Sequence, residues 1–465
     1  MAILEFSDFP FKSRIPGIFG GFRLALSGAR LLLSASMVEK TTPQIRRQPV
    51  RLDGMTPVEV AAMLRHLPGL VFFDTAGNLA SSASHPVSVI AARPDRILKG
   101  SIHAAADRAI LRNALAAAPV VSGDHGFPLG GLCGWIDYEG GFVFGEFHEM
   151  LVFDHTNRTW WETGNLSEHL RETTDQAVAI SPFEAGTSRG DFIHGVERIK
   201  GWIAAGDIYQ VNLSQAFTAE VTGGSLFGLY EALRDASPAP MAAWLSMDGR
   251  EVLSSSPETF LKISGRGIET RPIKGTRPRF IDPDEDRRSA FELQTSPKEI
   301  AELVMITDLL RNDLGQVCEF GSVEVSEMLQ LESLAQVHHL VSTVTGTLRP
   351  EPEQSGDGRR QTDAIDALAA CFPGGSITGA PKKRAMEIIR ELEAKPRGIY
   401  CGAIGWFGAN GESSFNIAIR TLVREGNKLI YQVGAGIVAD SDPEMEYEET
   451  LHKAAGIRLA VERWK

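Results

Sequence analysis

Between Gly398 and Val433 three β-rich runs, Gly398 to Phe407, Phe415 to Arg424 and Lys428 to Val433, are separated only by short turn signals. Asn410-Gly411 and Glu425-Gly426-Asn427 are the residues of tight hairpins, and connections this short leave no room for a crossover helix, so the strands are expected to pair antiparallel. Further strand-like runs occupy Leu70 to Phe73, Phe142 to Phe153 and Glu251 to Ile263. Helical periodicity covers Phe192 to Ala205, Pro297 to Arg311, Ala364 to Ala370, Lys382 to Ala394 and Glu446 to Trp464. Hairpins mixed with such helices read as α+β rather than as βαβ units.

The chain is long enough, at 465 residues, for two or three domains, or for one large α/β unit with a smaller partner. With 43% hydrophobic and 23% charged residues it is globular in composition, which excludes collagen-like, disordered and disulfide-scaffold classes. A formal net charge of -12 repels phosphate backbones and anionic lipid, so nucleic acid is not expected as a partner. No apolar run reaches the roughly 20 residues of a spanning helix, so no membrane partner is expected. Cys133, Cys318, Cys371 and Cys401 are scattered without ligand spacing, in keeping with reduced thiols and a cytoplasmic setting. Three stretches are expected: an N-terminal extension over 1–46, rich in Arg, Ser, Ala and Leu from Gly21 to Met37, a region over 47–180, and a larger region over 190–462, joined by the polar stretch Glu172 to Gly190.

Two motif-like stretches fail on inspection. Gly374-Gly375-Ser376-Ile377-Thr378-Gly379 has phosphate-loop spacing, but Ala380-Pro381 stands where the loop needs Lys-Ser/Thr. Gly131-Leu132-Cys133-Gly134-Trp135 resembles a cysteine nucleophile elbow, yet Trp135 replaces the second flanking Gly, and a buried structural cysteine is expected.

Other residues have chemistry to explain. Arg271-Pro272-Ile273-Lys274-Gly275-Thr276-Arg277-Pro278-Arg279 gathers four cations within nine residues of an acidic chain. It reads either as a solvated basic loop or as an anion pocket in which neighbouring charges depress the Lys274 pKa and make the amine nucleophilic. Ser296-Pro297-Lys298-Glu299 spells a capping box, which gives Glu299 a structural reason to exist. Glu302, in a helix that reads as buried all round, needs a cation or metal partner. Glu446 and Glu449 form a second pair, three apart, on a helix that starts near Ser441-Asp442-Pro443-Glu444, which also spells a capping box. First-turn acids are usual dipole partners, yet two helices each presenting two carboxylates is also what a hard cation such as magnesium requires. Gly434-Ala435-Gly436, with Arg420 in the preceding strand-like run, can offer consecutive amides to an anion. Glu258 at a strand end and His339 in an apolar run read as satisfied core groups or as site residues.

Taken in order, AGDIYQVN (205–212), SSPE (255–258), PIKGTRPR (272–279), KEIAELVMITDLLRNDLG (298–315), FPGGSITGAPK (372–382) and GAGIVADSDPEMEYEET (434–450) resemble the chorismate-utilising enzymes, over roughly residues 190 to 460. The resemblance implies their α+β fold of large antiparallel sheets with outer helices. Within that family anthranilate synthases carry Ala at the position of Lys274, whereas the branch that forms aminodeoxychorismate carries Lys. Gln210 stands where isochorismate and salicylate synthases have a water-activating lysine. The resemblance therefore implies amination of chorismate at C4, on the way to 4-aminobenzoate and folate, with anthranilate synthase component I as the nearest rival and a non-catalytic pocket protein as a remoter one. It further implies Mg2+ held by Glu302 and Glu449 with Glu299 and Glu446 in support, and Lys274 as covalent nucleophile. Glu258 is its acid/base, and His339 assists departure of the hydroxyl. Gln210, Thr276, Thr378, Tyr400, Arg420 and the Gly434, Ala435 and Gly436 amides line the substrate. Ammonia is expected from a separate glutaminase subunit, and pyruvate release from another enzyme.

Overall fold

The computed structural model describes residues 45–464 apart from 77–85, 120–124, 175, 335 and 351–361. Most of the N-terminal extension expected over 1–46 thus lies outside the described residues.

Strand residues alternate between two buried destinations. In the first sheet Phe72, Trp244 and Leu253 point to helices Pro57–Leu64, Phe227–Ala236 and Ala455–Trp464. Their neighbours Val71, Leu245 and Val252 pack instead against Cys133, Trp135, Ile404 and Trp406 of the second sheet. Leu132, Ile136 and Phe407 of that sheet turn to a second set of helices through Leu111, Val196, Leu314 and Ile388. Two sheets therefore share one apolar interlayer and each carries helices outside. Burial on both faces explains why these strands read as near-continuous apolar runs, and each large side chain so buried contributes roughly 1.5–3 kcal/mol.

Among the described residues the first sheet has 13 strands and the second 10, and every pairing between named strands is antiparallel. The α+β expectation holds, with large antiparallel sheets and outer helices. Strands from both sides of the polar stretch Glu172 to Gly190 pair with each other, Met241–Met247 with Val71–Asp74 and Ala403–Gly408 with Gly131–Ile136. That stretch itself supplies two short strands, Val178–Ile180 and Glu184–Ala185, to the long strand Gln210–Gly223.

Several expected elements are divided. The run Glu251 to Ile263 is two strands, Arg250–Ser256 in the first sheet and Thr259–Ser264 in the second, with Pro257-Glu258 as the crossing. The run Phe415 to Arg424 likewise divides into Ser413–Ile417 in the second sheet and Thr421–Glu425 in the first, crossing at Ala418–Arg420. Arg420 takes φ of 50° there. The two crossings lie side by side, tied by Ile417 N donating to Glu258 O at 3.1 Å and Ser255 N donating to Arg420 O at 3.1 Å. The last helix divides too, into Pro443–Lys453 and Ala455–Trp464.

Helix Pro297–Gly315 is not buried all round, as its composition suggested: Leu303, Ile306, Thr307, Leu310 and Leu314 face the interior, while Ala301, Val304, Asp308 and Arg311 are exposed. All four cysteines are buried and free. Burial pushes the Cys133 thiol far above its ordinary value, which suits the structural reading and not a nucleophile. Among the described residues no helix is long and apolar enough to cross a membrane.

Candidate active site

Lys274 lies on strand Ile273–Pro278, which pairs with Val337–Thr347 in the register Lys274 to Leu340 and Thr276 to His339. The ladder slips at Gly275, whose φ is 72°, so one extra residue re-aims the strand next to the lysine. Its ammonium stands 3.8 Å from Glu302 Oε2. Arg271 and Arg277, expected to crowd it, are drawn off by Glu332 and Glu299. A Cβ built on Gly436 would strike Gln210 Nε2 and come within 3.7 Å of Lys274 Nζ. Lys274, Gln210 and Gly436 thus converge from separate strands, and Gln210 Oε1 is buried there without a partner among the described residues.

Glu258, at the sheet crossing, is buried. Desolvation raises its pKa to about 7, against the pull of a Ser376 hydroxyl hydrogen bond, the Lys274 charge, the Ile273 N–H and the Lys453 charge. His339 Nδ1 meets Thr276 Oγ1 at 3.0 Å and the Gly275 carbonyl at 3.3 Å, while Nε2 is buried and has no partner among the described residues. Burial, with Arg420 nearby, lowers its pKa to about 3, so the ring is neutral.

The four proposed acids come from two helix starts. Ser296 caps the first by accepting from Glu299 N at 3.5 Å, but the capping box is not closed: the Glu299 carboxylate pairs with Arg277 at 3.5 Å. The capping box expected at Ser441 is not formed either: Asp442 caps the second helix, accepting from Met445 N at 2.9 Å, and Ser441 turns its hydroxyl to Glu446. Glu446 accepts from Ser441 Oγ at 2.6 Å and lies 3.5 Å from Lys298 Nζ; its other oxygen is buried and has no partner among the described residues. Glu449 pairs with Lys453 at 2.7 Å. Burial raises the Glu302 pKa, and the Glu299 and Glu449 charges add to the rise that Lys274 and Lys298 oppose. For Glu449 burial acts upward, yet Lys453, Lys298 and Lys274 outweigh it and hold the carboxyl low. Lys298 is desolvated, but Glu446, Glu302, Glu449 and Glu299 together raise its pKa. The set is all-oxygen, strongly anionic and has one free buried oxygen, which suits a hard divalent cation. Among the described residues no three His, Cys, Asp or Glu side chains already stand close enough together to hold one.

The remaining candidates are basic or polar. Arg420 is desolvated, which lowers its pKa, and no carboxylate pairs with it among the described residues. A Cβ on Gly434 would lie 3.0 Å from Tyr400 Oη and 3.1 Å from Asn212 Nδ2. The Gly434 carbonyl accepts from Lys453 Nζ at 3.0 Å. Gly434-Ala435-Gly436 is not a turn: it continues strand Lys428–Ile437, opposite Ser214, Leu213 and Asn212. Successive strand amides point to opposite edges, so the three N–H groups cannot all face one anion. Thr378 spends its hydroxyl proton within its own loop, on the carbonyls of Gly374 at 2.9 Å and Gly375 at 3.2 Å.

Three groups of the site escaped the sequence reading. Lys453 stands four residues after Glu449, a helical ion-pair spacing that was legible. In the sequence Ser376 stands only within a stretch that fails as a phosphate loop, and Lys298 only within a helix cap.

Residues 128–458 match the family model described as chorismate binding enzyme. The chain is 40% identical over 338 residues to a Bacillus subtilis (strain 168) protein named aminodeoxychorismate synthase component 1, covering 68% of this chain and 70% of that one. It is 41% identical over 357 residues to anthranilate synthase component 1 of Methanothermobacter thermautotrophicus, covering 72% and 74%. The solved structure of anthranilate synthase component I from Streptococcus pneumoniae TIGR4 superposes with a TM-score of 0.69 at 28% identity, over 81% of this chain and 93% of that one.

Proposed function

The chain belongs to the family of chorismate binding enzymes, and from that premise we propose that it aminates chorismate at C4, as the first component of an aminodeoxychorismate synthase. The observation that carries the reading is Lys274, an amine at the meeting point of Gln210, Gly436 and Glu302 with Glu258 beside it. A small, flexible amine facing a pocket is what nucleophilic catalysis on an electron-poor ring needs.

Glu258, with a pKa of about 7, is ionised in about half the molecules at neutral pH and can take the proton that frees the Lys274 amine. Lys274 Nζ then adds at C2 as the ring double bond shifts and the C4 hydroxyl leaves as water, taking with it the proton that Glu258 drew from the lysine. Neutral His339 meets that oxygen through its free Nε2. Ammonia adds at C4, the double bond shifts back, and the C2–N bond breaks to return the lysine. Glu302 and Glu449, with Glu299 and Glu446, would hold Mg2+, which when bound orients a ring carboxylate and neutralises its charge. Arg420, Lys453 and Tyr400 are suited to the substrate's carboxylates. Gln210 and Thr276 line the floor beside the lysine. A glutaminase partner would supply the ammonia.

The relatives named anthranilate synthase component 1 support a second reading, amination with loss of pyruvate. The two are separated by incubating the chain with chorismate, Mg2+ and an ammonium salt at mildly alkaline pH and weighing the product. We expect aminodeoxychorismate with its enolpyruvyl group retained, and a fall of about three orders of magnitude or more in Lys274→Ala. Anthranilate plus pyruvate would replace this reading with the second.

A further inference from the structure

Arg397 belongs to none of the groups above, yet its guanidinium is almost completely buried, with a side chain 1% exposed. Burial of that charge requires partners, and every nitrogen has one. Nε donates to Glu393 Oε2 at 2.8 Å and Nη2 to Glu393 Oε1 at 2.7 Å. Nη1 donates to the Ile377 carbonyl at 2.9 Å and Nη2 to the Asn212 carbonyl at 2.7 Å. The cation also lies 4.7 Å from the Tyr138 ring centroid and 5.9 Å from that of Tyr400. Its own carbonyl accepts from Gln432 Nε2 at 2.8 Å, and its N–H donates to Glu139 at 2.9 Å.

These bonds share a destination. Ile377 lies between Ser376, which hydrogen-bonds Glu258, and Thr378. Asn212 and Tyr400 are the two side chains closest to Gly434, and Gln432 precedes it on the same strand. The planar fork therefore joins the Ser376 loop, strand Gln210–Gly223 and the Tyr400 ring, and the Arg397 backbone ties on strand Lys428–Ile437, which already pairs with Gln210–Gly223.

We propose that Arg397 is the positioning residue of the substrate pocket, setting Tyr400 against Gly434 for a substrate carboxylate; this rests on the chorismate reading above. A lysine keeps the charge opposite Glu393 but cannot reach two carbonyls and a carboxylate in one plane.

The test is calorimetric titration of chorismate into wild type, Arg397→Lys, Tyr400→Phe and the double variant, with thermal midpoints recorded alongside. The expected result is about a tenfold loss of affinity in Arg397→Lys with its cooperative unfolding kept. In the double variant the loss should not exceed the larger single one, since both changes remove the same interaction. Unchanged affinity, or losses that multiply, would overturn the proposal. Should Arg397→Lys not fold, Glu393→Gln reads the same cycle, because it leaves the fork but frees it to move. A wild type that binds chorismate without aminating C4 ends the functional reading and leaves this one standing.

Discussion

A single carboxyl sets the pH behaviour of the site. Glu258 is raised from an ordinary 4.5 to about 7, chiefly by burial. As the base that frees Lys274, it works only when ionised, so kcat/KM for chorismate should rise with pH through about 7, and Glu258→Gln should lose that limb. Stability moves the other way. A raised carboxyl pKa means the folded state keeps a proton that the unfolded chain has already released, so stability falls as pH climbs from 4.5 to about 7, and is level above. The loss attributable to this carboxyl is about 3 kcal/mol; urea titrations at pH 5 and 8 should show it in the wild type and not in Glu258→Gln. Nothing in the sequence around Ser255-Ser256-Pro257-Glu258 told a core group from a catalytic one. The difference lies in Ser376 and Lys274, which are distant along the chain and meet Glu258 only in the fold.

Elements were legible where local chemistry decides them. Ser296 and Asp442 mark their helix starts, and Asn410-Gly411 and Gly426 mark their hairpins. The sheet crossings were not, because strands buried on both faces stay apolar through Pro257-Glu258 and Ala418–Arg420, and periodicity carries no trace of which sheet a strand joins. Nor did sequence show that Gly434-Ala435-Gly436 stays in its ladder, since glycine is compatible with turn and strand alike. Gly275 is the element-scale test. With φ of 72°, a Cβ there would also stand 2.6 Å from Leu293 Cδ1 and 3.1 Å from Glu299 Oε2. Gly411, with φ of 88°, has nothing within 4 Å. Both Gly→Ala changes should cost about 1–2 kcal/mol in backbone strain, but only Gly275→Ala should displace Lys274 and abolish chorismate turnover; equal activities would show that the slip in the ladder does not aim the lysine.

At the scale of the whole molecule the pairings are remote. Val71–Asp74 completes the first sheet beside Met241–Met247, and Gly131–Ile136 the second beside Ala403–Gly408. A fragment covering 190–464 would leave Met241–Met247 and Ala403–Gly408 each with an open edge and would uncover part of the interlayer. It should lack a cooperative transition and near-ultraviolet circular dichroism, both recovered on co-expression with 45–180; a fragment that unfolds cooperatively alone would show that the halves are separable. The same pairings give the chain a history during synthesis. Strand Gly131–Ile136 leaves the ribosome well ahead of the partner that will cover one of its edges, which follows only with residues 403–408. At roughly 5–20 residues per second that interval is on the order of tens of seconds. For that time an apolar strand waits with an open edge, so the yield of this enzyme in a cell depends on how well its half-made form is shielded from its own copies.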